Sequence, residues 1–562
     1  MSDTSRGNRA APGAVAEQLS AMTLRQKIGQ LLHCGFHGFE PGEDISRLIR
    51  ERHIGGVILF ARNVRDVRQV AAMNAGLQRI AEEAGVPPLT IAIDQEGGMV
   101  ARLTEGVALM PGNMAIAAGG EPEAAYEAAR ITGEELRALG VNLNYAPVLD
   151  VNVNPANPVI GVRSYGESSQ LVGDYGVQAI AGLQEAGVTA TAKHFPGHGD
   201  TDTDSHLDLP TIGHARERIY EVELAPFRRA IEAGIDAIMS SHIYFPSFET
   251  EKLPVTLSRN VLTGLLREEL GFQGVIMTDC MEMKAIFDHY GTVAAAVMAV
   301  EAGADCVLIS HRHDLQEEAI EALVAAVESG RISEARIDAS VERLLAMKHK
   351  RGVTAETVAT AADEAYFAGE AFRKVGSPEH RETARRISEA SVTIVKAEDG
   401  MLPLGRERTL VIGVQATAVS EVDESLDLPL TLGQALAAQG VDTEERSIPL
   451  DRVAEHTDEL VRLASGFKQI VIGTYNASLR PEQAAFVRAI LDTGARPVVV
   501  ALRNPYDIAA FPDVPAYIAV YESRPLALQS AAKALAGSIR PHGRLPVSIS
   551  PEYPAYTGGQ PS

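Results

Sequence analysis

The chain has 562 residues, with 51 basic and 74 acidic side chains and a formal net charge of −23. A chain of this length favours two hydrophobic cores over one, so we expect two domains. The hydrophobic share of 46% fits a globular enzyme and argues against a fibrous or disordered chain. The negative charge repels nucleic-acid phosphates and anionic membrane surfaces, and no basic patch offsets it, so we expect neither partner.

The cysteines and the N-terminus bear on the compartment. Cys34, Cys280 and Cys306 stand far apart without CxxC spacing, which supports neither a disulfide framework nor a thiolate zinc site. The N-terminal stretch lacks an apolar segment of signal-peptide length, and no run of about 18 apolar residues occurs anywhere. We therefore expect a cytoplasmic protein. The sequence makes no prediction of its oligomeric state.

Short apolar runs alternate with amphipathic segments through the first 350 residues. These runs are VILFAR, LTIAID, VNLNYAP, VTATAKH, AIMSSH, GVIMTD and DCVLIS, with an earlier candidate around residues 29–35. This alternation is typical of successive βα units around a parallel sheet. We predict an α/β fold class in which residues 16–350 form a (β/α)8 TIM-like barrel, with a doubly wound sheet as the alternative.

A second domain is expected after an interdomain linker at residues 351–384, where the pattern is rich in Ala and Glu. From 385 to 562 the strand-like runs are RTLVIGV, FKQIVIGTY, ARPVVVALRNPYD and AYIAVY. They predict a smaller α/β sheet domain. Neither a GxGxxG turn nor a GxxxxGK[ST] loop is present, so a nucleotide site is unsupported and we expect no cofactor.

Polar residues close several of the apolar runs in the barrel region. In a parallel barrel the carboxyl ends of the strands converge on one face, whereas a polar side chain in mid-strand would carry a desolvation penalty. We therefore expect a shared pocket lined by these strand-end residues, which are Asp94, Asn144, Lys193, His194, His242 and Asp279.

The densest chemistry lies in residues 193–209, KHFPGHGDTDTDSHLDL, which Pro and Gly keep from forming a helix. Two interpretations invoke a metal. An EF-hand-like loop built on Asp200, Asp202 and Asp204 would place Ser205 where the turn needs Gly and Thr211 where it needs Glu. A metal hydrolase would use Asp200 with His194, His198 and His206, but the Pro-Gly pair defeats helical i, i+4 presentation.

The third interpretation of this loop is an acid/base site. Asp204 and His206 are alternate residues of an extended segment, so their side chains point toward the same side. A carboxylate beside an imidazole fixes its tautomer and stabilises its charged form. The ordinary imidazole pKa of about 6.5 suits a group that must donate a proton and later recover it. His206 is therefore a candidate general acid.

The loop KHFPGHGDTDTDSH resembles the signature of bacterial β-N-acetylglucosaminidases in glycoside hydrolase family 3. The similarity extends to IAIDQEGGMVARL, APVLDVNVNPANPVIGVRSYG and ELGFQGVIMTDCMEM, so that it covers residues 20–350. It implies a retaining enzyme that releases terminal, non-reducing β-linked N-acetylglucosamine from muropeptide or chitin fragments. LRNPYD and GRLPVS resemble the α/β sandwich that forms the family's C-terminal domain.

The resemblance also implies roles for single residues. Asp279, which ends the GVIMTD strand, matches the catalytic nucleophile, and His206 oriented by Asp204 matches the general acid/base. The substrate-binding set, which holds sugar hydroxyls without a metal, corresponds to Asp94, Arg102, Arg163, Lys193 and His194. An Asp nucleophile and a facing acid give two displacements that together retain configuration.

Other functions stay open from the sequence. A β-N-acetylglucosaminide phosphorylase would use the same scaffold with phosphate as the acceptor. A β-glucosidase, a metal-dependent amidohydrolase and a catalytically silent sugar-binding protein are further alternatives. The chain departs from the family pattern at Cys280, directly after the proposed nucleophile, and it contains no Trp to stack on a sugar.

Overall fold

A computed structural model describes residues 12–202, 204, 208–415 and 430–558. Within these ranges the chain forms a closed eight-stranded barrel and a six-stranded sheet. The predicted fold class, a (β/α) barrel followed by a smaller α/β domain, is confirmed. None of the helices in these ranges is both long and apolar enough to cross a membrane.

The first ten strands include the barrel and one hairpin. They are β1 (Leu32–Gly35), β2 (Gly56–Leu59), β3 (Thr90–Ile93), β4 (Gln95–Gly97), β5 (Val100–Ala101), β6 (Leu143–Asn144), β7 (Thr189–Phe195), β8 (Ala237–Ser240), β9 (Val275–Cys280) and β10 (Cys306–Ile309). β4 and β5 form the antiparallel hairpin, and the other eight strands close in the order β1-β10-β9-β8-β7-β6-β3-β2. Each of the eight predicted runs overlaps one barrel strand.

Thirteen helices of the described chain accompany these strands. They are α1 (Pro12–Ser20), α2 (Leu24–Gln30), α3 (Glu43–Arg52), α4 (Val67–Glu83), α5 (Asn113–Ala118), α6 (Glu123–Ala138), α7 (Ser169–Glu185), α8 (Arg216–Glu221), α9 (Leu224–Glu232), α10 (Lys284–Tyr290), α11 (Thr292–Ala302), α12 (His313–Glu328) and α13 (Glu334–Lys350). A further helical segment, Asn260–Glu269, has π-type hydrogen bonding.

Local sequence signals explain where several of these helices begin. The side chain of Asp66 accepts a hydrogen bond from the backbone of Gln69 at the start of α4, and Ser333 caps α13 in the same way. Such caps satisfy backbone N–H groups that have no partner within the helix. Each capped helix then buries one apolar face against the barrel, which explains the alternating pattern of the sequence.

The second sheet comprises β11 (Thr393–Ala397), β12 (Thr409–Gln415), β13 (Thr443–Pro449), β14 (Gln469–Thr474), β15 (Pro497–Ala501) and β16 (Ala516–Ala519). Their order is β11-β16-β15-β14-β12-β13, with only β11 antiparallel to its neighbour. The remaining helices are α14 (Glu364–Phe367), α15 (Glu370–Arg373), α16 (Pro378–Ser391), α17 (Leu432–Ala437), α18 (Val453–Ala464), α19 (Pro481–Asp492) and α20 (Pro525–Leu535). The domain limits 16–350, 351–384 and 385–562 stay a prediction.

The segment after β16 of the second sheet contacts the turn of the hairpin β4–β5 and the residue before α5. Arg524 donates from Nε to the carbonyl of Gly98 at 3.0 Å, and Glu522 accepts from the backbone N–H of Gly112 at 3.0 Å. Gly98 has a φ of +54°, and a Cβ there would lie 2.5 Å from the Glu522 carboxylate. The close approach of the two parts therefore requires glycine at this position.

Candidate active site

A cavity of about 410 Å³ opens at the carboxyl ends of the barrel strands. Of the eight candidate site residues, six line it, and they come from segments far apart in sequence: Asp94, Arg102, Arg163, Lys193, His194 and Asp279. β7 is the longest barrel strand, which carries Lys193 and His194 into the mouth. The expectation that strand-end polar groups share one pocket is confirmed for Asp94, Lys193, His194 and Asp279.

An ion-paired chain runs along one wall of this cavity. The Lys193 ammonium lies 2.8 Å from Asp94 Oδ1 and 2.7 Å from Glu96 Oε1. Arg163 binds Glu96 in a bidentate manner, at 3.0 Å through Nε and 2.8 Å through Nη2. Arg102 reaches Asp94 Oδ2 at 3.5 Å. Two carboxylates and three cations thus fix one another's positions.

Burial and the neighbouring charges shift the pKa values of Glu96 and Lys193 in opposite directions. Burial alone would raise the pKa of Glu96, but the Arg163 and Lys193 cations together outweigh it and hold the pKa well below its usual range. Burial lowers the pKa of Lys193, and the Asp94 and Glu96 carboxylates more than restore it, so the net shift is upward. Glu96 and Lys193 are therefore both charged at neutral pH.

His194 is oriented from behind by a buried carboxylate. Its Nδ1 lies 2.7 Å from Asp150 Oδ2, and Asp150 Oδ1 accepts the backbone N–H groups of His194 and His198 at 3.1 and 2.7 Å. Burial raises the pKa of Asp150, but the His194 charge and hydrogen bonds reverse the shift and lower it. An ionised Asp150 accepts a hydrogen bond from Nδ1–H, which fixes the ring and directs Nε2 toward the cavity.

Asp279 lies at the end of β9, on the opposite wall from the hairpin. Its Oδ1 accepts a hydrogen bond from the backbone N–H of Cys280 at 2.7 Å. Cys280, Tyr145 and Met239 line the cavity around it. A carboxylate at a strand end, in a cavity of sugar size, has the position that a nucleophile requires.

The predicted acid/base loop is described only in part. Asp204 is buried, with 5% of its surface exposed, whereas His206 lies outside the described residues. Asp200, which the metal-hydrolase interpretation needed, instead lies 2.5 Å from His214 Nε2. His194 and His198 are bound through Nδ1 by Asp150 and Thr201 respectively. These described members do not form a common ligand set.

One group in the described part of the chain does place three metal-type ligand atoms within 4.8 Å of one another, namely Cys280, Glu282 and His311. The Glu282 carboxylate accepts three backbone N–H groups of residues 310–312, at 2.6 to 3.0 Å. The Arg62 guanidinium lies 3.1 Å from His311 Nδ1. A cation there opposes a metal ion, so we assign this group to holding the loop after β10.

The model of the glycosyl hydrolase family 3 N-terminal domain matches residues 23–347. The chain belongs to glycosyl hydrolase family 3. This family 3 chain is 31% identical to the protein named beta-hexosaminidase A of Pseudoalteromonas piscicida, over 94% of this chain and 97% of the relative.

Two further relatives match nearly the full length of the family 3 chain. A protein of Cellulomonas fimi named beta-N-acetylglucosaminidase/beta-glucosidase is 29% identical over 95% of each chain. The solved structure of a family 3 beta-N-acetylglucosaminidase from Paenibacillus sp. str. FPU-7 has a TM-score of 0.87 and 48% identity. It covers 94% of this chain and 99% of that chain. The likeness therefore includes the second domain as well as the barrel.

Two strand-end residues have structural roles in this family 3 chain. The Asn144 amide pairs with both backbone groups of Gln95, at 3.0 and 2.9 Å. His242 bridges the Thr256 hydroxyl and the Cys280 carbonyl at 2.9 and 3.0 Å. Neither side chain is among the residues that line the cavity. Both instead bind backbone groups of the segments that form its wall.

Three residues of the site were not predicted from the sequence. Glu96 and Asp150 complete the ion-paired chain and the His194 support, and Tyr145 lies on the cavity floor. Glu96 and Asp150 each stand within a quoted motif, as the Glu of IDQEGG and the Asp of PVLDV. For Asp150 the available signal was an acidic residue between the apolar neighbours Leu149 and Val151, because such a residue needs a buried partner.

Proposed function

We propose that this family 3 chain is a retaining exo-β-N-acetylglucosaminidase that hydrolyses terminal, non-reducing β-linked N-acetylglucosamine. The observation that carries the proposal is the placement of Asp279 in one cavity with the Asp94–Lys193–Glu96–Arg163 ion chain. The names of the relatives in Pseudoalteromonas and Paenibacillus support the choice of sugar.

In the first step, the Asp279 carboxylate attacks the anomeric carbon. The bond from that carbon to the leaving oxygen breaks, and His206, oriented by Asp204, donates a proton to that oxygen. A covalent glycosyl-Asp279 ester remains. In the second step, neutral His206 takes a proton from water while the water oxygen attacks the anomeric carbon and expels the Asp279 carboxylate. Two inversions give net retention.

The remaining residues bind the sugar. Asp94 is held by Lys193 and Arg102, so its carboxylate accepts hydrogen bonds from sugar hydroxyls without reorganising. His194, fixed by Asp150, presents Nε2 to the same ligand. Arg163 binds Glu96 and so acts mainly by fixing Lys193. No metal or cofactor takes part in this scheme.

We further propose that the natural substrates are muropeptide or chitin oligosaccharide fragments and that the enzyme recycles them in the cytoplasm. The cavity of about 410 Å³ accommodates one terminal sugar, which supports exo-action. The C-terminal domain modulates the cavity wall through the contact of Arg524 with the hairpin turn at Gly98 and that of Glu522 with Gly112 before α5.

The first experiment compares hydrolysis of a chromogenic N-acetyl-β-glucosaminide with that of the matching β-glucoside. It uses the wild type, Asp279→Ala and His206→Ala, each with and without phosphate and chelator. Asp288→Ala, at an exposed position, and His456→Ala, at a half-exposed position, are matched controls of the same residue types outside the site. We expect turnover of the N-acetyl substrate, wild-type rates in both controls, and a loss of about 10³-fold in both site variants.

Each arm can overturn part of the proposal. Preference for the β-glucoside, or full activity of His206→Ala, would reject the His acid/base mechanism. Release of a sugar 1-phosphate in phosphate buffer would replace water with phosphate as the acceptor. Loss of activity with chelator would favour the metal-dependent amidohydrolase.

A further inference from the structure

A second cavity lies among the helices around the barrel, apart from the cavity at the strand ends. Its volume is about 560 Å³, compared with about 410 Å³ for the cavity that contains Asp279. Its walls come from helices α4 and α6 and from the interdomain linker, including α14 and α15. No described residue lines both cavities. The mechanism proposed above therefore makes no use of this second cavity.

Small side chains leave this space open. Ala71 and Ala75 line it from α4, Ala138 lines it from α6, and Ala359 and Ala371 line it from the linker. Ala71 and Ala75 are four residues apart on one helix and so share a face. An alanine fills less space than the leucine or isoleucine that usually packs one helix against another. The linker therefore crosses the barrel helices without closing the gap.

Asn74 of α4 lines the cavity and has a polar atom without a hydrogen-bond partner. The residue is 1% exposed, and its Oδ1 accepts no hydrogen bond from any described residue. Its Nδ2 donates to the Leu139 carbonyl at 2.8 Å. This bond fixes the orientation of the amide, because a flipped amide would place two oxygens against each other. A buried acceptor without a donor costs free energy, so a ligand that supplies the donor is favoured.

Arg137 of α6 lines the same cavity and has no carboxylate partner among the described residues. Its Nη2 donates to the Gly352 carbonyl at 2.7 Å, whereas a guanidinium has five N–H donors. Burial lowers the pKa of Arg137, and the Tyr366 hydroxyl acts against that shift. A half-buried cation of this kind is stabilised by an anion placed beside it.

The other charged groups in the wall do not supply that anion. Glu134 is paired with Arg130 and lies 3.7 Å from the Lys374 ammonium, so two cations already compensate it. Glu370 is exposed, and within the described parts of the chain no ion pair joins it to Arg137. The cavity thus combines a cation that lacks an acid with an acceptor that lacks a donor.

We propose that this cavity is a second ligand site, which binds a small hydroxylated organic acid through Arg137 and Asn74. The carboxylate or phosphate of the ligand pairs with the Arg137 guanidinium, and a ligand hydroxyl donates to Asn74 Oδ1. A hydroxyl supplies this donor without adding positive charge beside Arg137 and Lys374. The volume of about 560 Å³ is typical of small-molecule sites. Because barrel helices and linker both line the site, the ligand joins them.

The test titrates the intact protein with three open-chain, six-carbon compounds in a calorimeter. Gluconate has a carboxylate, sorbitol 6-phosphate has a phosphate, and sorbitol is the uncharged control. None of them presents a pyranose ring to the candidate active site. We expect at least one of the two anions to bind with a Kd below about 10 mM, and sorbitol not to bind in that range. The anion that binds more tightly identifies the preferred anionic group.

Variants assign the binding to this cavity. Arg137→Met keeps a long side chain and removes the charge, and Asn74→Asp replaces the unpaired acceptor with a negative charge. Each should weaken anion binding at least about tenfold. Arg79→Met is the matched control, because Arg79 is an exposed arginine of α4 that does not line the cavity. It should keep the wild-type Kd. Ala75→Leu, which fills the cavity and leaves Arg137 in place, should also weaken binding.

The expected thermal shift provides a second measurement, since a ligand that binds the folded state raises Tm. Circular dichroism verifies that each variant folds, and if Arg137→Met does not, Ala75→Leu decides. The proposal is overturned if neither anion binds, if sorbitol binds as tightly as the anions, or if the folded cavity variants keep the wild-type Kd. The last result would place the anion elsewhere, such as beside Arg102 in the candidate active site. None of these results depends on whether the protein hydrolyses an N-acetyl-β-glucosaminide.

Discussion

Glu96 is the residue on which the ion-paired chain depends. Its side chain is 3% exposed and binds both Arg163 and Lys193, and the latter two are equally buried. Removing one partner from a buried ion group leaves charge without compensation, which costs far more than the net value of the pair. The stability of the barrel and the geometry of the sugar site are therefore coupled at one carboxylate.

We predict that Glu96→Gln lowers the free energy of unfolding by about 3–5 kcal/mol. The matched control is Glu455→Gln, which breaks an exposed pair with Arg452, 60% and 54% exposed respectively, and should cost less than about 1 kcal/mol. Because the chain contains no Trp, urea unfolding is followed by circular dichroism. If both variants lost the same free energy of unfolding, Asp94 alone would be enough to compensate the charges of Arg163 and Lys193.

Single residues also show what sequence can and cannot predict. Asp94, Lys193, His194 and Asp279 were predictable because each closes an apolar run, and parallel strands bring such ends together. Their partners were not, because Asp150 lies 44 positions from His194 and Glu96 lies 67 positions from Arg163. Pairings of this kind depend on the closed barrel order. The roles of Asp204 and His206 stay predictions.

At the scale of elements, the strands that were missed lack an apolar pattern. β13 (TEERSIP) is an edge strand with charged side chains, so no buried face marks it. β11 is a half-buried edge strand that runs antiparallel to β16, outside the βα rhythm. The hairpin β4–β5 consists of very short strands whose pairing depends on Gly turns. Edge strands and short hairpins therefore need tertiary information.

Helix α13 places a lysine under the barrel. Lys348 is 3% exposed, and its ammonium donates to Gln30 Oε1 at 3.1 Å and to the Gly55 carbonyl at 2.9 Å. Burial lowers its pKa to about 7, with the Cys306 thiol acting weakly in the opposite direction, and His33 is the other titratable neighbour. The helix is thus attached to the barrel by a group that titrates near neutral pH.

We predict that this lysine makes stability rise with pH. Unfolded Lys348 keeps its proton up to about 10.5 and the folded residue releases it near 7, so the unfolded state binds more protons between these values. The free energy of unfolding should therefore increase by about 1 kcal/mol per pH unit from pH 7 to about 8.5, relative to Lys348→Met. Urea unfolding across this range measures the difference.

The control for Lys348→Met is Lys350→Met on the same helix. Lys350 is 55% exposed in its side chain and pairs with Asp236, so its replacement should leave the pH slope of the wild type intact. A Lys348→Met variant with the wild-type slope would show that another group, and not this lysine, is responsible.

At the scale of the whole molecule, the junction between barrel and second sheet contains an acid with an unusual environment. Glu522 is 3% exposed and accepts a hydrogen bond from the backbone N–H of Gly112, directly before α5. Burial raises its pKa to about 7, although the Gly112 hydrogen bond and the Arg524 charge act against the shift. The neighbouring Arg524 contacts the turn of the hairpin that follows Asp94. The charge state of Glu522 therefore bears on the position of the cavity wall.

The pH dependence of Glu522 is opposite to that of Lys348. Unfolded glutamate loses its proton near 4.5 and folded Glu522 keeps it until about 7, so the folded state binds more protons between these values. Protonated Glu522 therefore contributes fully to the free energy of unfolding below pH 4.5, and this contribution is lost as the pH rises through about 7. Glu522→Gln, which imitates the protonated acid, should raise the free energy of unfolding at pH 8 by about 3 kcal/mol.

Scanning calorimetry at pH 8 and pH 4 separates this effect from a general change in packing. At pH 4 the wild-type acid is already neutral, so the gain of Glu522→Gln should vanish. The matched control is Glu167→Gln at the same junction, whose carboxylate accepts from the Ser548 backbone and hydroxyl at 2.8 and 2.6 Å. Glu167→Gln should not raise the free energy of unfolding at pH 8. A gain of equal size at both pH values would assign the stabilisation to the amide itself, because an effect of the Glu522 charge must disappear at pH 4, where the carboxyl group of the folded protein is protonated.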